Sequence, residues 1–451
     1  MNKRESSTEA PQQVANLWRD LDAAEAIQIK PCSRQVVVIA LCLLFNIVDG
    51  FDITVMAVAA KEIGAALSLD ESRIGLLFSF ALAGMMVGGM LIAPVADILG
   101  RRKVIIGALC AISFSVLMTA LSRDVYSLIA LRFVSGLGAG ALLATQASLV
   151  SEFSTEKYRT LTITLVTAGY PLGAMTTGIV AGVIMPVAGW KGMFLAGGAV
   201  TAVLTLLAIA LIPESLAYLG NRQPEGALQR MNAVLRQFNR PPLSKLPETA
   251  DPGAKRGAWS SIRALFEAGY RKKTLVLWLV FCCCSSTLYF LMSWIPKLVT
   301  QMGFDDTVSY SAYTIFSFGG VLGILVFGML SARYALSSLV GVFMLSTSGL
   351  MLILSQVMVG KEKLLLLILL TGFMLQSAYN ALYAVAAKLY ATNVRATGVG
   401  WALGMGRLGA VIAPAVAGFS LESGVTAQSN FIAFSIPLVI SGMLVFTLRL
   451  R

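Results

Sequence analysis

The chain has 451 residues, of which 57% are hydrophobic and only 13% are charged. Soluble domains carry about 25% charged residues, so this chain has too few to cover the surface of a water-soluble fold. The composition therefore excludes an ordinary soluble protein and predicts an integral membrane protein. The net charge of +12 comes from residues between apolar runs, which favours a membrane topology signal over nucleic-acid binding.

The chain contains no histidine, and its six cysteines include no Cys-x-x-Cys pair. Histidine is the usual proton carrier near neutral pH and a common metal ligand. Any proton chemistry must therefore use carboxylates, and no metal or other cofactor is predicted.

Apolar runs of about 20 residues predict twelve membrane spans, six on each side of one long polar stretch. The runs lie near 35–59, 74–96, 104–121, 126–150, 161–185, 192–212, 274–296, 308–330, 338–358, 364–387, 398–421 and 429–448. The predicted fold is an all-α membrane protein with two pseudo-symmetric six-helix halves. Its predicted parts are an N-terminal segment 1–34, an N-terminal bundle 35–212, a central loop 213–273, a C-terminal bundle 274–448 and a C-terminus 449–451.

An even number of spans places both termini and the central loop on one side of the membrane. Most Lys and Arg residues outside the spans fall on that side, which the positive-inside rule makes cytoplasmic. The sequence thus predicts a multi-pass protein of the inner membrane with both termini in the cytoplasm.

The predicted first span holds two carboxylates, Asp49 and Asp52, three residues apart. This spacing puts both on one helix face, with Asn46 one turn earlier. Two close carboxylates in a low-dielectric medium cannot both ionise readily, so one of them is expected to hold a proton. The pair is predicted to couple transport to protons; a buried polar brace or half of a salt bridge is the structural alternative.

The predicted fourth span carries Arg132 at the head of a glycine-rich stretch and Glu152 at its cytoplasmic end. A fixed cation at membrane depth either binds an anion or neutralises a carboxylate. Arg132 is therefore predicted to bind substrate. Glu152 is predicted to take part in proton coupling, with an interfacial acid near Arg159 or Arg395 as the alternative.

An internal repeat relates the fifth and eleventh spans. An Arg, followed at the same spacing by Leu-Gly-Ala and then by Val-Ala-Gly, occurs from Arg159 and again from Arg395. Because six spans separate the copies, the halves are expected to have the same orientation, with a site between them near the midplane. Arg407 lies within the eleventh span and is predicted to bind substrate.

The predicted tenth span has a polar stripe at helical spacing, formed by Gln376, Asn380 and Tyr383. This stripe is expected to face the interior and to contact substrate. Hydrogen bonds between helices are the structural alternative.

At these motifs the chain resembles the major facilitator superfamily. The stretch 93–102 is similar to that superfamily's gate motif, with Ala93 and Ile98 departing from it. The matching residues are Asp97, Gly100, Arg101 and Arg102. The resemblance implies the major facilitator fold and a cytoplasmic gate at these residues. The second-half copy of the motif is degraded, because Ala332 stands where the acid would be.

Within the superfamily, Asp-Gly-Phe-Asp at 49–52 resembles the D-G-x-D motif of the aromatic acid:proton symporters. The stretches 395–401, 406–409, 151–153 and 170–174 also resemble that group. The resemblance implies that Asp49 and Asp52 are needed for transport and proton coupling. It likewise implies roles for Arg132, Glu152, Arg395 and Arg407, and Arg395 is assigned to the gate.

The sequence therefore predicts a monomeric symporter that imports an aromatic carboxylate, such as benzoate or hydroxybenzoate, with a proton by alternating access. Its predicted partners are the aromatic acid, the proton and the lipid bilayer, and no nucleic acid. One alternative is a transporter of the same fold for another solute, such as a sugar or dicarboxylate. A membrane sensor or enzyme is a second alternative, disfavoured because the short central loop has no nucleotide motif.

Overall fold

The computed structural model describes residues 33–154, 159–238, 240–246, 263, 265–267, 270–356, 360–390 and 392–448. Within these residues all regular structure is helical. Of the predicted terminal segments 1–34 and 449–451, only residues 33 and 34 are described, and they begin the first span. The side chains of 160, 161 and 392–396 also lie outside them, which includes the predicted gate residue Arg395.

The N-terminal half contains six spans, numbered here in chain order. The first to fourth are Ser33–Leu67, Glu71–Leu99, Arg101–Thr119 and Val125–Phe153. The fifth and sixth come from Arg159–Thr167 and Gly169–Leu211. The stretch Thr162–Leu211 has 50 residues, and a straight helix of that length would be about 75 Å long, far more than one bilayer crossing. Gly189, with φ 60° and ψ −167°, breaks it into a fifth span, 159–188, and a sixth, 189–211.

The C-terminal half also contains six spans. The seventh to twelfth are Arg271–Gln301, Asp306–Leu330, Leu336–Gln356, Lys361–Leu389, Thr392–Glu422 and Ala427–Phe446. Each half therefore has the predicted six spans. Several helices run farther than predicted; the first extends to Leu67 rather than ending near 59, because polar residues such as Lys61 and Glu62 continue the helix beyond the apolar run.

Two regions predicted as loops are partly helical. The stretch 93–102 continues the second span through Ala93–Val95 and Ala96–Leu99, and only Gly100, with φ 104°, forms the turn to the third span. The central loop contains the helices Leu216–Arg222 and Ala227–Gln237. The second of these is amphipathic, and Met231, Val234 and Leu235 are buried on its apolar face. The face of the molecule that carries these two helices is called the loop face below.

Close packing within the N-terminal half depends on small residues. A Cβ added to Gly84 or Gly88 of the second span would overlap the backbone of Phe133 or Leu137 in the fourth span. Small residues let helix backbones approach in membranes, where there is little hydrophobic drive for association. Gly136 and Gly140, which follow Arg132, likewise approach the backbone of the second span. Glycines on both spans therefore allow the fourth span to pack closely against the second.

The two halves meet most closely on the face opposite the loop face. A Cβ on Gly75 of the second span would lie 2.6 Å from the carbonyl oxygen of Pro414 in the eleventh. The ring of Phe78 packs edge-on against Trp294 of the seventh span, with 5.5 Å between ring centroids. The space between the halves is thus closed on the opposite face.

Candidate functional site

Asp52 and Arg132 form a buried ion pair between the first and fourth spans. Arg132 Nη1 lies 3.0 Å from Asp52 Oδ1, and the two side chains are only 1% and 3% exposed. Ser135 also donates a hydrogen bond to Asp52, and Arg132 Nη2 donates to Thr119 Oγ1 at 3.4 Å. The guanidinium carbon lies 5.0 Å from the ring centroid of Phe194. Asp52 is therefore the counter-charge of Arg132, and the pair links four spans.

We expect Asp52→Asn to destabilise the protein strongly. The change leaves the Arg132 guanidinium buried without a counter-charge, which costs about 3–5 kcal/mol. Thermal unfolding in detergent measures the effect as a large fall in Tm. The double variant Asp52→Asn/Arg132→Gln removes both charges and should recover part of the lost stability. An Asp52→Asn variant as stable as the wild type would contradict a stabilising role for this ion pair.

Asp49 lies one turn from Asp52 but has a different environment. It is 2% exposed, and neither of its carboxylate oxygens has a hydrogen-bond partner. The charged groups that act on it electrostatically are Asp52 and Arg407. An ionised carboxylate without hydrogen bonds is costly to bury, which sets Asp49 apart from the ion-paired Asp52.

Arg407 is a half-buried cation of the eleventh span. Its Nη1 donates to Tyr289 Oη at 3.0 Å and contacts Met85 Sδ at 2.7 Å. The guanidinium carbon lies 5.9 Å from the ring centroid of Tyr289. Among the described residues Arg407 forms no ion pair, so its charge is available to an anion.

Four tyrosines lie in the neighbourhood of this guanidinium. They are Tyr289, which accepts its hydrogen bond, and Tyr170, Tyr379 and Tyr383. Tyr379 and Tyr383 stand edge-on, with 6.0 Å between ring centroids. Tyr383 is 39% exposed, so this member of the group is accessible from outside the protein core. The four tyrosines and Arg407 are called the tyrosine cage below.

The structure separates the residues of the predicted tenth-span stripe. Tyr383 belongs to the tyrosine cage, whereas Gln376 Nε2 donates to the carbonyl oxygen of Phe316 in the eighth span at 3.2 Å. Asn380 Nδ2 donates to the carbonyl oxygen of Gln376 at 2.9 Å. Tyr379 is a cage member that sequence reasoning missed; its position four residues before Tyr383, on the same helix face, is the signal that could have found it.

The gate-motif residues form a charge network at the loop face. Arg101 Nη2 lies 3.6 Å from Asp97 Oδ1, and Arg101 also forms an ion pair with Glu152. The backbone N–H of Arg102 donates to Glu214 Oε1 at 3.1 Å. These residues all belong to the N-terminal half or to the start of the central segment.

Glu152 is therefore placed in the gate network and not beside Asp49. Its second carboxylate oxygen accepts a hydrogen bond from Ser215 Oγ at 2.7 Å. The turn at Gly100 brings Arg101 and Arg102 to this network, because its positive φ is a conformation that favours glycine.

Two ion pairs join the halves on the opposite face. Lys61 Nζ lies 2.6 Å from Asp306 Oδ1, between the first and eighth spans. Lys297 of the seventh span pairs with Glu71 of the second. Each pair crosses from one half to the other, so both stabilise the conformation that is closed on this face.

We expect the reversal Lys61→Asp to open the opposite face. An exposed ion pair stabilises a conformation by about 0.2–1 kcal/mol, and the reversal replaces this attraction with repulsion from Asp306. The population closed on this face should therefore fall about fivefold. Spin labels at Ala66 and Thr307 in a cysteine-free background should then report longer distances by pulsed electron paramagnetic resonance.

The swap Lys61→Asp/Asp306→Lys restores the attraction and should return the short distances. Arg73→Asp is the matched control, because Arg73 pairs with Asp70 inside one half, at 3.3 Å. Unchanged distances in Lys61→Asp, or a swap that stays open, would contradict the role of this pair.

Comparisons with known proteins agree with this architecture. A family model described as Major Facilitator Superfamily matches residues 42–361. The 4-hydroxybenzoate transporter PcaK of Acinetobacter baylyi is 31% identical, over 89% of this chain and 88% of that protein. The gallate transporter of Pseudomonas putida is 30% identical, over 92% of each chain.

Solved structures share the fold. The inward-open xylose transporter XylE from E. coli superposes with a TM-score of 0.71 at 14% identity, covering 92% of this chain and 96% of that one. The predicted twelve-helix fold and the predicted exclusion of an enzyme are confirmed by these matches together. The chain belongs to the Major Facilitator Superfamily and is a membrane transporter.

Proposed function

We propose that this transporter imports an aromatic carboxylate together with a proton by alternating access. The observation that carries the proposal is the tyrosine cage, in which Arg407 forms no ion pair among the described residues but interacts electrostatically with the unpartnered acid Asp49. A guanidinium binds a carboxylate through two parallel hydrogen bonds. Tyrosine rings offer flat apolar faces and edges against which an aromatic ring packs.

The names of the relatives support the same substrate class. They are transporters of 4-hydroxybenzoate, benzoate and gallate, each an aromatic carboxylate. A sugar has no carboxylate for Arg407, so the cage favours an aromatic acid over the neutral solutes that this fold also carries.

Proton coupling follows from the electrostatic link between Asp49 and Arg407. A substrate carboxylate at Arg407 offsets the guanidinium charge and places a negative charge near Asp49. Both changes favour the protonated form of Asp49, so substrate and proton bind together more readily than either alone. When the substrate leaves, the exposed cation favours loss of the proton.

The conformational cycle uses the contacts at the two faces. The loop face is cytoplasmic in this proposal, because most Lys and Arg residues outside the spans lie there. Lys61–Asp306 and Lys297–Glu71 then close the outer face while the substrate leaves towards the cytoplasm. The gate stabilises the conformation that is closed on the cytoplasmic side. It consists of Asp97, the turn at Gly100, Arg101, Arg102, Glu152 and Arg395. We place the protein in the inner membrane as a monomer.

Uptake by the purified protein in proteoliposomes tests the proposal. Labelled benzoate, 4-hydroxybenzoate and a neutral sugar are offered with and without an outside-acid pH gradient. Initial rates are corrected with protein-free vesicles, because the neutral form of an aromatic acid crosses a bilayer unaided. We expect saturable aromatic-acid uptake that the gradient stimulates. Saturable sugar uptake, or aromatic-acid uptake indifferent to the gradient, would contradict the proposal.

A further inference from the structure

A cavity of about 410 Å³ lies at the loop face, away from the tyrosine cage. It is partly open and is lined by the starts of the first and third spans, the end of the sixth, and the two helices of the central segment. Its volume is within the usual range for small-ligand sites, about 300–1,000 Å³. Neither Asp49 nor Arg407 lines it, so it is separate from the proposed transport site.

The lining of this cavity is strongly basic. Arg34, Arg102, Lys103 and Arg230 contribute cations, and Glu214 is the single acid in the lining. Glu214 already accepts hydrogen bonds from the backbone N–H groups of Arg102 and Ser215, at 3.1 and 3.0 Å. None of the four cationic side chains forms an ion pair with another described residue.

Two of these guanidinium groups have unused donors. The Nε atoms of Arg34 and Arg102 are buried and have no hydrogen-bond partner. Arg34 Nη2 donates to the carbonyl oxygen of Leu211 only at 3.4 Å. A buried donor without a partner is costly. An anion with several acceptor oxygens, such as a phosphate, would satisfy these donors and the surplus charge.

The surroundings of the cavity point to a lipid as the source of the phosphate. Val36 of the first span and Leu206 and Ile209 of the sixth are exposed apolar side chains beside it. In a membrane these residues face acyl chains. A phosphate that carries acyl chains can therefore occupy the basic cavity and the adjoining apolar surface at once, as anionic lipids do at basic pockets between spans.

We propose that this cavity binds the phosphodiester headgroup of an anionic phospholipid, with its acyl chains along the first and sixth spans. Arg102 and Glu214 belong to both the cavity and the gate network. The bound headgroup therefore supports the gate, and transport depends on anionic lipid. The proposal is independent of which solute is transported.

The test compares binding of phosphatidylglycerol to the purified protein by native mass spectrometry, with zwitterionic phosphatidylcholine, whose net charge is zero, as the reference. The pocket variant is Arg34→Gln/Arg230→Gln. The matched control is Arg271→Gln/Lys272→Gln, which removes two exposed cations from the same face at the start of the seventh span. We expect about 30-fold weaker phosphatidylglycerol binding in the pocket variant, from about 1 kcal/mol for each lost cation, and little change in the control.

Equal losses of binding in both double variants would show non-specific surface attraction and would overturn the proposal. Unchanged binding in the pocket variant would also overturn it. Inorganic phosphate is the second probe, because it carries the same oxygens without acyl chains. Phosphate binding as tight as that of phosphatidylglycerol would overturn the assignment to a lipid. Should the double variant fold poorly, Arg230→Gln alone alters an exposed position and is expected to weaken lipid binding about fivefold.

Discussion

Asp49→Asn is expected to abolish proton-driven uptake while leaving substrate exchange intact. Asparagine has the shape of a protonated aspartate but cannot release a proton, and Asp49 is the buried acid without a hydrogen-bond partner. One pH unit supplies about 1.4 kcal/mol per proton, or a tenfold driving force. About tenfold accumulation of substrate at steady state under such a gradient should therefore disappear in the variant.

Counterflow provides the control for this variant. Proteoliposomes loaded with unlabelled substrate should exchange it for labelled substrate at close to the wild-type rate, because exchange needs no deprotonation step. A variant that retains gradient-stimulated uptake would remove Asp49 from proton coupling. A variant that loses exchange as well would show that Asp49 acts in substrate binding instead.

Arg407→Gln is expected to weaken substrate binding by about 100-fold. Truncating one partner of a buried, hydrogen-bonded charge pair costs about 2–5 kcal/mol, and here the substrate carboxylate would be left without its counter-charge. Arg407→Lys keeps the charge but loses the planar pair of donors, so we expect an intermediate loss. Isothermal titration calorimetry with 4-hydroxybenzoate measures both Kd values.

Tyr289→Phe and Arg333→Gln complete this series. Tyr289→Phe removes only the hydroxyl that accepts from Arg407 at 3.0 Å, so a loss of a few-fold is expected. Arg333 is exposed at the loop face, and its replacement should leave Kd unchanged. A wild-type Kd in Arg407→Gln would exclude Arg407 as the carboxylate-binding residue.

The sequence pattern predicted the spans well because apolar length alone determines them. It located the glycine-rich fourth span. It did not predict the exact ends of the first span, or the helices of the central segment, because polar residues continue a helix without a change in hydropathy. The pattern predicted two separate spans at 161–185 and 192–212, and Gly189 divides the helix between them. It did not identify Gly189 as the break, because that depends on one backbone conformation.

Spacing placed Asp49 and Asp52 on one helix face but could not distinguish their environments. The distinction comes from Arg132, which is distant in sequence and pairs with Asp52 alone. The tyrosine cage was also beyond the pattern, because its members come from the fifth, seventh, tenth and eleventh spans. Glu152 was predicted to couple protons, yet its contacts with Arg101 and Ser215 depend on how the loop face folds.

Proton movement driven by substrate is the most direct test of proton-coupled import. Proteoliposomes with a trapped pH-sensitive dye and no initial gradient receive 4-hydroxybenzoate outside, and protein-free vesicles supply the background. We expect a saturable, protein-dependent acidification of the lumen that Asp49→Asn lacks. Saturable uptake of the aromatic acid by the wild-type protein without this acidification would contradict it.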